Sequence, residues 1–153
     1  MHSVKAASVL QRYASYPLIQ MFIAPLTRQI IGLNESQFVM AEWTDPGAPA
    51  GPPHPIAPFH VHYSDDEAWY VLEGTLAFQL GNQEVEASVG SAVFAPRGVP
   101  HTYWNPHPTP ARYLLIMTPN IRYLVDELHW STERDLAAVQ TIYHRHNSAL
   151  VPG

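Results

Sequence analysis

The chain has 153 residues, 46% of them apolar and only 14% charged, with a formal net charge of −5. That length buries a proper core without help from a metal, and the acidic balance argues against nucleic acid or any other polyanion as a partner. With no cysteine, disulfides, thiolate catalysis and sulfur ligation are all excluded, so any metal falls to imidazole and carboxylate.

In chain order, the first fifteen residues lack the layout of a signal peptide, and no apolar run approaches the roughly 18 residues of a membrane span. A soluble, unprocessed, cytoplasmic protein with no membrane partner is therefore expected. Residues 4–13 carry a weak helical pattern. Residues 18–23, 29–33 and 37–43 read as short strands, separated by Pro25 and by a turn at Gly32, Leu33 and Asn34. Residues 45–58 hold Pro46, Pro52, Pro53, Pro55 and Pro58, which cannot donate into a sheet. This stretch reads as a stiff connector rather than a lid, with His54 within reach of a cavity mouth.

The segment 59–74 carries the chemistry. On a strand, His60 and His62 point the same way, about 6.6–6.8 Å apart along the backbone, and can grip one ion. Ser64, Asp65 and Asp66 form a turn-prone cluster, both aspartates being read as solvated. The strand beyond it, rich in aromatic and β-branched residues, returns Glu67 towards the histidines. Residues 75–80 form the next strand, and Gly81-Asn82 is a two-residue hairpin signal. Residues 91–95 give a buried strand, Pro96-Arg97-Gly98 a turn, and His101 stands directly after it, with Tyr103 and Asn105 on its side by parity. Residues 111–118 supply another apolar strand. The period then becomes helical, with Ile121, Leu124, Val125 and Leu128 on one face and Leu136, Val139, Ile142 and Tyr143 on another. Many short strands followed by two helices predict an antiparallel sandwich or barrel enclosing a cavity. His2, His54, His107 and His129 read as loop or solvated residues, while His144 and His146, two apart on a helix, cannot share an ion. Arg97 and Arg112 are the cations nearest the motifs and read as surface residues. Either is also a candidate clamp for an anionic substrate.

Two spacings resemble those of a known family. His60-x-His62, four residues, Glu67, six residues and Gly74 match the first cupin motif. Gly90, five residues, Pro96-x-Gly98, two residues, His101, three residues and Asn105 match the second. The glycine that usually opens the first motif is replaced by His54. The resemblance implies an all-β fold, an antiparallel double-stranded β-helix (cupin or jelly-roll barrel), as one domain over residues 1–153. Its barrel core would run from about 16 to 118, with a two-helix C-terminal tail from about 119 to 147. It makes His60, His62, Glu67 and His101 the ligands of one divalent transition metal ion: Fe, Mn, Ni, Cu, Co or Zn. Core histidines satisfied by backbone or water are the alternative, disfavoured because such a cluster in an apolar cavity is costly without a cation to share. Trp69, Val71 and Tyr103 are expected to line the pocket, and Asn105 to orient a ligand imidazole.

The flanking sequence, over about residues 36–150, is similar to small bacterial cupins related to quercetin dioxygenase. This implies a metal-dependent dioxygenase acting on a small aromatic, flavonol or enediol compound, with Glu67 as the catalytic proton acceptor. Two alternatives stand beside it: a non-catalytic cupin that binds metal and a small sugar-like or anionic ligand, and a cupin isomerase or epimerase. Exposed strand edges and the apolar tail suggest a homodimer.

Overall fold

Alternation of side chains along each strand sets the architecture. In the computed structural model, which describes residues 36–152 together with the backbone of residues 30 and 31, the elements are as follows. They are β1 (Ile30–Ile31), β2 (Val39–Asp45), β3 (Ala57–His62), β4 (Glu67–Glu73), β5 (Thr75–Leu80), β6 (Gln83–Ser88), β7 (Ala92–Ala95), β8 (His101–Trp104) and β9 (Ala111–Met117). Helices α1 (Pro119–Trp130) and α2 (Leu136–Arg145) follow, then β10 (Ser148–Leu150). The expected helix over 4–13, the strand over 18–23 and the turn at 32–34 lie outside the described residues.

The strands form two antiparallel five-stranded sheets, ordered β1-β2-β9-β4-β7 and β10-β3-β8-β5-β6. Apart from the β5–β6 hairpin through Gly81 and Asn82, each connection from β2 to β9 crosses from one sheet to the other. The two inner faces therefore share one core, as in a jelly roll. On β9 the period of two is complete: Ala111, Tyr113, Leu115 and Met117 are buried, and the residues between them less so. On β4 the same rule turns Glu67, Trp69 and Val71 inward, where Trp69 packs edge-on to Phe78.

Gly74 shows why the motif requires a glycine between β4 and β5. Its φ is +72°, and a Cβ there would lie 2.6 Å from the Pro110 carbonyl oxygen. Both the left-handed conformation and the close approach of another backbone exclude a side chain.

The strand expected over 111–118 ends at Met117 because Thr118 is the N-cap of α1. Its hydroxyl accepts from the Ile121 amide, and Pro119 stands at the first helical position. One expectation is corrected here: the chain does not finish on two helices. After α2, Asn147 reverses the chain at φ 50°, and β10 pairs with β3, Ser148 opposite His62 and Leu150 opposite His60. Three residues are too short to carry a period. Leu124 of α1 and Ile142 and Tyr143 of α2 form a second apolar cluster with Leu150 packed against it, so the helices are bound to the barrel. Among the described residues, no helix is long and apolar enough to cross a membrane.

Candidate metal centre

The two sheets contribute unequally to one cluster. His60 and His62 stand on β3, and His101 on the neighbouring β8 pairs directly with His60; Glu67 reaches in from β4 of the facing sheet. The loop geometry that brings them together is local. The Gly98 amide donates to the His62 carbonyl at 2.7 Å, tying the turn before His101 to the end of β3. On the outer side of that tie, Asp66 accepts from the Arg97 backbone and side chain at 2.7–3.1 Å.

His60, His62, Glu67 and His101 are all buried, and one donor atom from each lies within 4.8 Å of every other. His60 Nε2 is 3.0 Å from His62 Nε2, Glu67 Oε2 is 3.1 Å from His101 Nε2, and it is 3.5 Å from His62 Nε2. Adjacent donors around an octahedral ion with bonds of about 2.1 Å are separated by about 3.0 Å, and around a tetrahedral one by about 3.4 Å. The 3.0 and 3.1 Å separations fall in that range, and the 3.5 Å one lies just beyond it.

The remaining ring nitrogens decide what the inner ones offer. His60 Nδ1 donates to the Pro58 carbonyl at 2.6 Å and His101 Nδ1 to the Val99 carbonyl at 2.9 Å. His62 Nδ1 lies 2.7 Å from Ser148 Oγ, whose own proton goes to the His146 carbonyl at 3.0 Å, so the hydroxyl accepts from the ring. These partners take up the Nδ1 of each ring and leave three Nε2 atoms and a carboxylate facing one another. Buried nitrogens and a carboxylate at such distances are costly unless a cation, a proton or a metal ion, is shared among them. Burial, followed by the neighbouring His101 and His62, holds the His60 imidazole down at about 3, so it stays neutral. Burial works to raise the Glu67 carboxyl, but hydrogen bonding and charge from His101 and His62 outweigh it and bring it to about 2. Three imidazoles and an ionised carboxylate, once the rings give up any shared proton, could hold a borderline divalent ion.

Ser148 carries no signal in the motifs, since it arrives on the unforeseen β10. Replacing it with alanine is expected to weaken metal binding about 10- to 100-fold while His62 remains in place, measured by competition with a metal-sensitive dye. Asn105 does not orient a ligand. Its Nδ2 donates to the Thr109 carbonyl at 2.8 Å and its Oδ1 accepts from the His107 amide at 3.0 Å, so the side chain is spent on bracing the loop before β9. Trp69 and Val71 lie in the core behind the cluster rather than on the cavity wall, Trp69 packing edge-on to His101 at 5.7 Å. Tyr103 does line the cavity.

That cavity, about 500 Å³, opens from His60, His62 and Glu67 between the barrel and the two helices. Its walls are apolar apart from a few groups: Tyr103 and Tyr113, whose hydroxyls lie 3.2 Å apart, Tyr143 from α2, and His129 and Arg134. Burial raises the pKa of all three phenols, so they stay protonated. Tyr113 was open to discovery by parity on β9. His129 is exposed, as expected, and also stacks on Trp43 at 5.8 Å. His54 is exposed and lies outside the cavity wall, to which the end of the proline loop contributes Ile56 and Pro58.

Asp65 also departs from expectation. It is buried, and accepts from Thr118 Oγ1 at 2.6 Å, Asn120 Nδ2 at 2.8 Å and Ser64 Oγ at 3.0 Å. Although burial alone would raise its pKa, those three donors hold it below the ordinary value. Arg97 pairs with Asp66, and Arg112 with Glu42 and Glu73, so neither is left to clamp a substrate.

A two-sheet β-barrel with three imidazoles and one carboxylate converging in its interior is a small barrel that could hold one metal ion. Residues 46–117, which include all four of these side chains, match the family model for the cupin domain, and the chain carries a cupin domain there. An uncharacterized protein of Methanocaldococcus jannaschii is 32% identical over 60 residues, 39% of this chain and 48% of that one. A structure from Silicibacter pomeroyi described as a sugar phosphate isomerase is similar at 25% identity and TM-score 0.47, over 54% of this chain and 51% of that one. The chain thus spans about half the length of each. A Thermus thermophilus structure is similar at 27% identity and TM-score 0.48, over 72% of this chain and 93% of that one.

Proposed function

We propose that the protein is a metal-dependent oxidoreductase of the dioxygenase type, acting on a small aromatic or enediol compound. The observation that carries this reading is the convergence of three imidazoles and one carboxylate on the floor of a largely apolar cavity walled by aromatic rings. His60, His62, Glu67 and His101 would hold one Fe, Mn, Ni, Cu, Co or Zn ion. When bound, a redox-active member of that series supplies Lewis acidity towards a substrate oxygen and a route for electrons to dioxygen.

The protein's own groups do the rest. The apolar wall excludes water and seats a flat ring. Glu67 accepts the proton of the substrate hydroxyl: burial favours its neutral form, so each contact to His101 or His62 that it gives up raises its basicity. Because a dioxygenase places both oxygen atoms in the product, no external reductant is required. A sugar phosphate suits the cavity less well. Arg134 is the cation on its wall among the described residues, and its guanidinium already donates to the Leu128 and His129 carbonyls.

The test is oxygen uptake by protein loaded in turn with each metal, offered flavonols and small enediols. Consumption of one dioxygen per substrate by a redox-active form supports the reading. Tight ligand binding without uptake by any loaded form replaces it with a non-catalytic binding protein, and turnover without dioxygen with an isomerase.

The dimer is a proposal of the same kind. On the outer face of the first sheet, Met40, Ile116, Ala68 and Phe94 stand in one cross-strand row, and Phe94 is 57% exposed. Pairing of two such faces predicts a mass about twice 17.1 kDa by light scattering, and Phe94→Glu is expected to return it to the single-chain value.

A further inference from the structure

The helical tail supplies more than a cover. Tyr143 on α2 is only 2% exposed, and its ring stands edge-on to His60 with centroids 5.3 Å apart. It lines the cavity that opens from the cluster. The hydroxyls of Tyr103 and Tyr113 satisfy each other at 3.2 Å, but the Tyr143 hydroxyl makes no hydrogen bond with any described residue. That hydroxyl is not fully buried, so it is open to a partner from outside the protein. The same cavity is lined by Leu115 from β9 and by Ile121 and Leu124 from α1. A polar group of the ligand is therefore the natural partner.

We infer that Tyr143 is a ligand-contacting residue: its hydroxyl, on the wall of the cavity that opens from the cluster, donates a hydrogen bond to an oxygen of a small ring bearing two adjacent oxygens. One oxygen of such a ligand faces the His60, His62, Glu67 and His101 cluster, the neighbouring oxygen meets Tyr143 Oη, and the ring fills the space between β9 and α1. The specificity of the site for a vicinal diol or enediol over a single hydroxyl then resides in the C-terminal tail, outside the segment 46–117. This inference rests on the metal-centre reading above.

The test uses the full chain loaded with ferric iron and titrated with 4-nitrocatechol, whose visible spectrum changes on binding, and in parallel with 4-nitrophenol, which lacks the second oxygen. Tyr143→Phe is expected to keep the metal content and thermal midpoint of the wild type, to bind 4-nitrocatechol about 10-fold more weakly, and to leave 4-nitrophenol affinity unchanged. Tyr70→Phe, at an exposed tyrosine of β4 that does not line the cavity, serves as the control. Should Tyr143→Phe lower the thermal midpoint, Tyr143→Met, of similar flexibility to the surrounding apolar wall, must show the same selective loss. Equal affinities for 4-nitrocatechol in wild type and variant, or equal losses for both probes, overturn the role of Tyr143. Metal uptake without any 4-nitrocatechol binding by the wild type overturns the ligand class. Failure of the wild type to take up any of the candidate metals removes the metal-centre reading itself.

Discussion

Exchanging His60 and His62 together for alanine is expected to lower bound transition metal from about one equivalent per chain to less than about a tenth, after loading and desalting. The two rings supply half of a four-donor set, and no other described histidine or carboxylate lies close enough to replace them. A weakened site would also be seen at a single position, but the double change leaves only His101 and Glu67, which pair with each other at 3.1 Å. Far-ultraviolet circular dichroism should remain that of a β protein, because neither ring belongs to the main apolar cluster around Trp69 and Phe78. A second readout separates metal binding from simple packing. In metal-free wild type, His60 is ordinarily protonated near 6.5 when unfolded but only at about 3 when folded. Between those values the unfolded chain binds more protons, so stability is intact above about 6.5 and is lost as pH falls towards 3. The variant should show a flatter profile over that window. Retention of a full equivalent of metal by the double variant would remove the centre from this cavity.

Why the cluster was legible in the sequence, while its surroundings were not, comes down to the range of the interactions involved. His60, His62 and Glu67 lie within eight residues of one another, so strand parity and one turn are enough to place them on a common side. His101 follows a turn whose glycine has φ +81°, and the turn can be read from Pro96 and Gly98 without knowing what lies opposite. Asp65 is the contrary case. Locally it is one of three polar turn residues, indistinguishable from Asp66, yet its partners Thr118 and Asn120 are more than fifty positions away. They determine that Asp65 is buried at the base of α1 while Asp66 stays near the surface with Arg97. The same limit hid Ser148, separated from His62 by 86 positions, and misplaced Asn105, whose motif position suggested a role at the cluster that the neighbouring loop claims instead. The amphipathic pattern of the tail revealed two helices. It could not show that the chain would return through β10, because pairing with β3 is decided by what edge the barrel leaves open.

Trp69→Ala is expected to have the largest effect on stability of any single change considered, a loss of about 3–5 kcal/mol, against a total of about 5–15 kcal/mol for a domain of this kind. The side chain is 1% exposed and meets Phe78 at 5.2 Å, Tyr103 at 5.2 Å and His101 at 5.7 Å between ring centroids. Removing it opens a cavity between the two sheets at a point where β4, β5 and β8 all contribute side chains, so none can move in without dragging a strand. Edge-on aromatic contacts add about 0.5–1.5 kcal/mol each beyond area alone, which places the loss towards the upper end of the range. Trp69→Phe retains a ring and should forfeit a smaller share. Urea denaturation followed by circular dichroism measures both: the midpoint should fall in the order wild type, Phe, Ala, with the slope unchanged if the unfolded state is unaffected. Since Trp69 also backs the His101 ring, the alanine variant should bind metal more weakly even under conditions where it remains folded. A loss below about 1 kcal/mol on Trp69→Ala would mean that the barrel core is not closed around this residue, and the placement of His101 would need another cause.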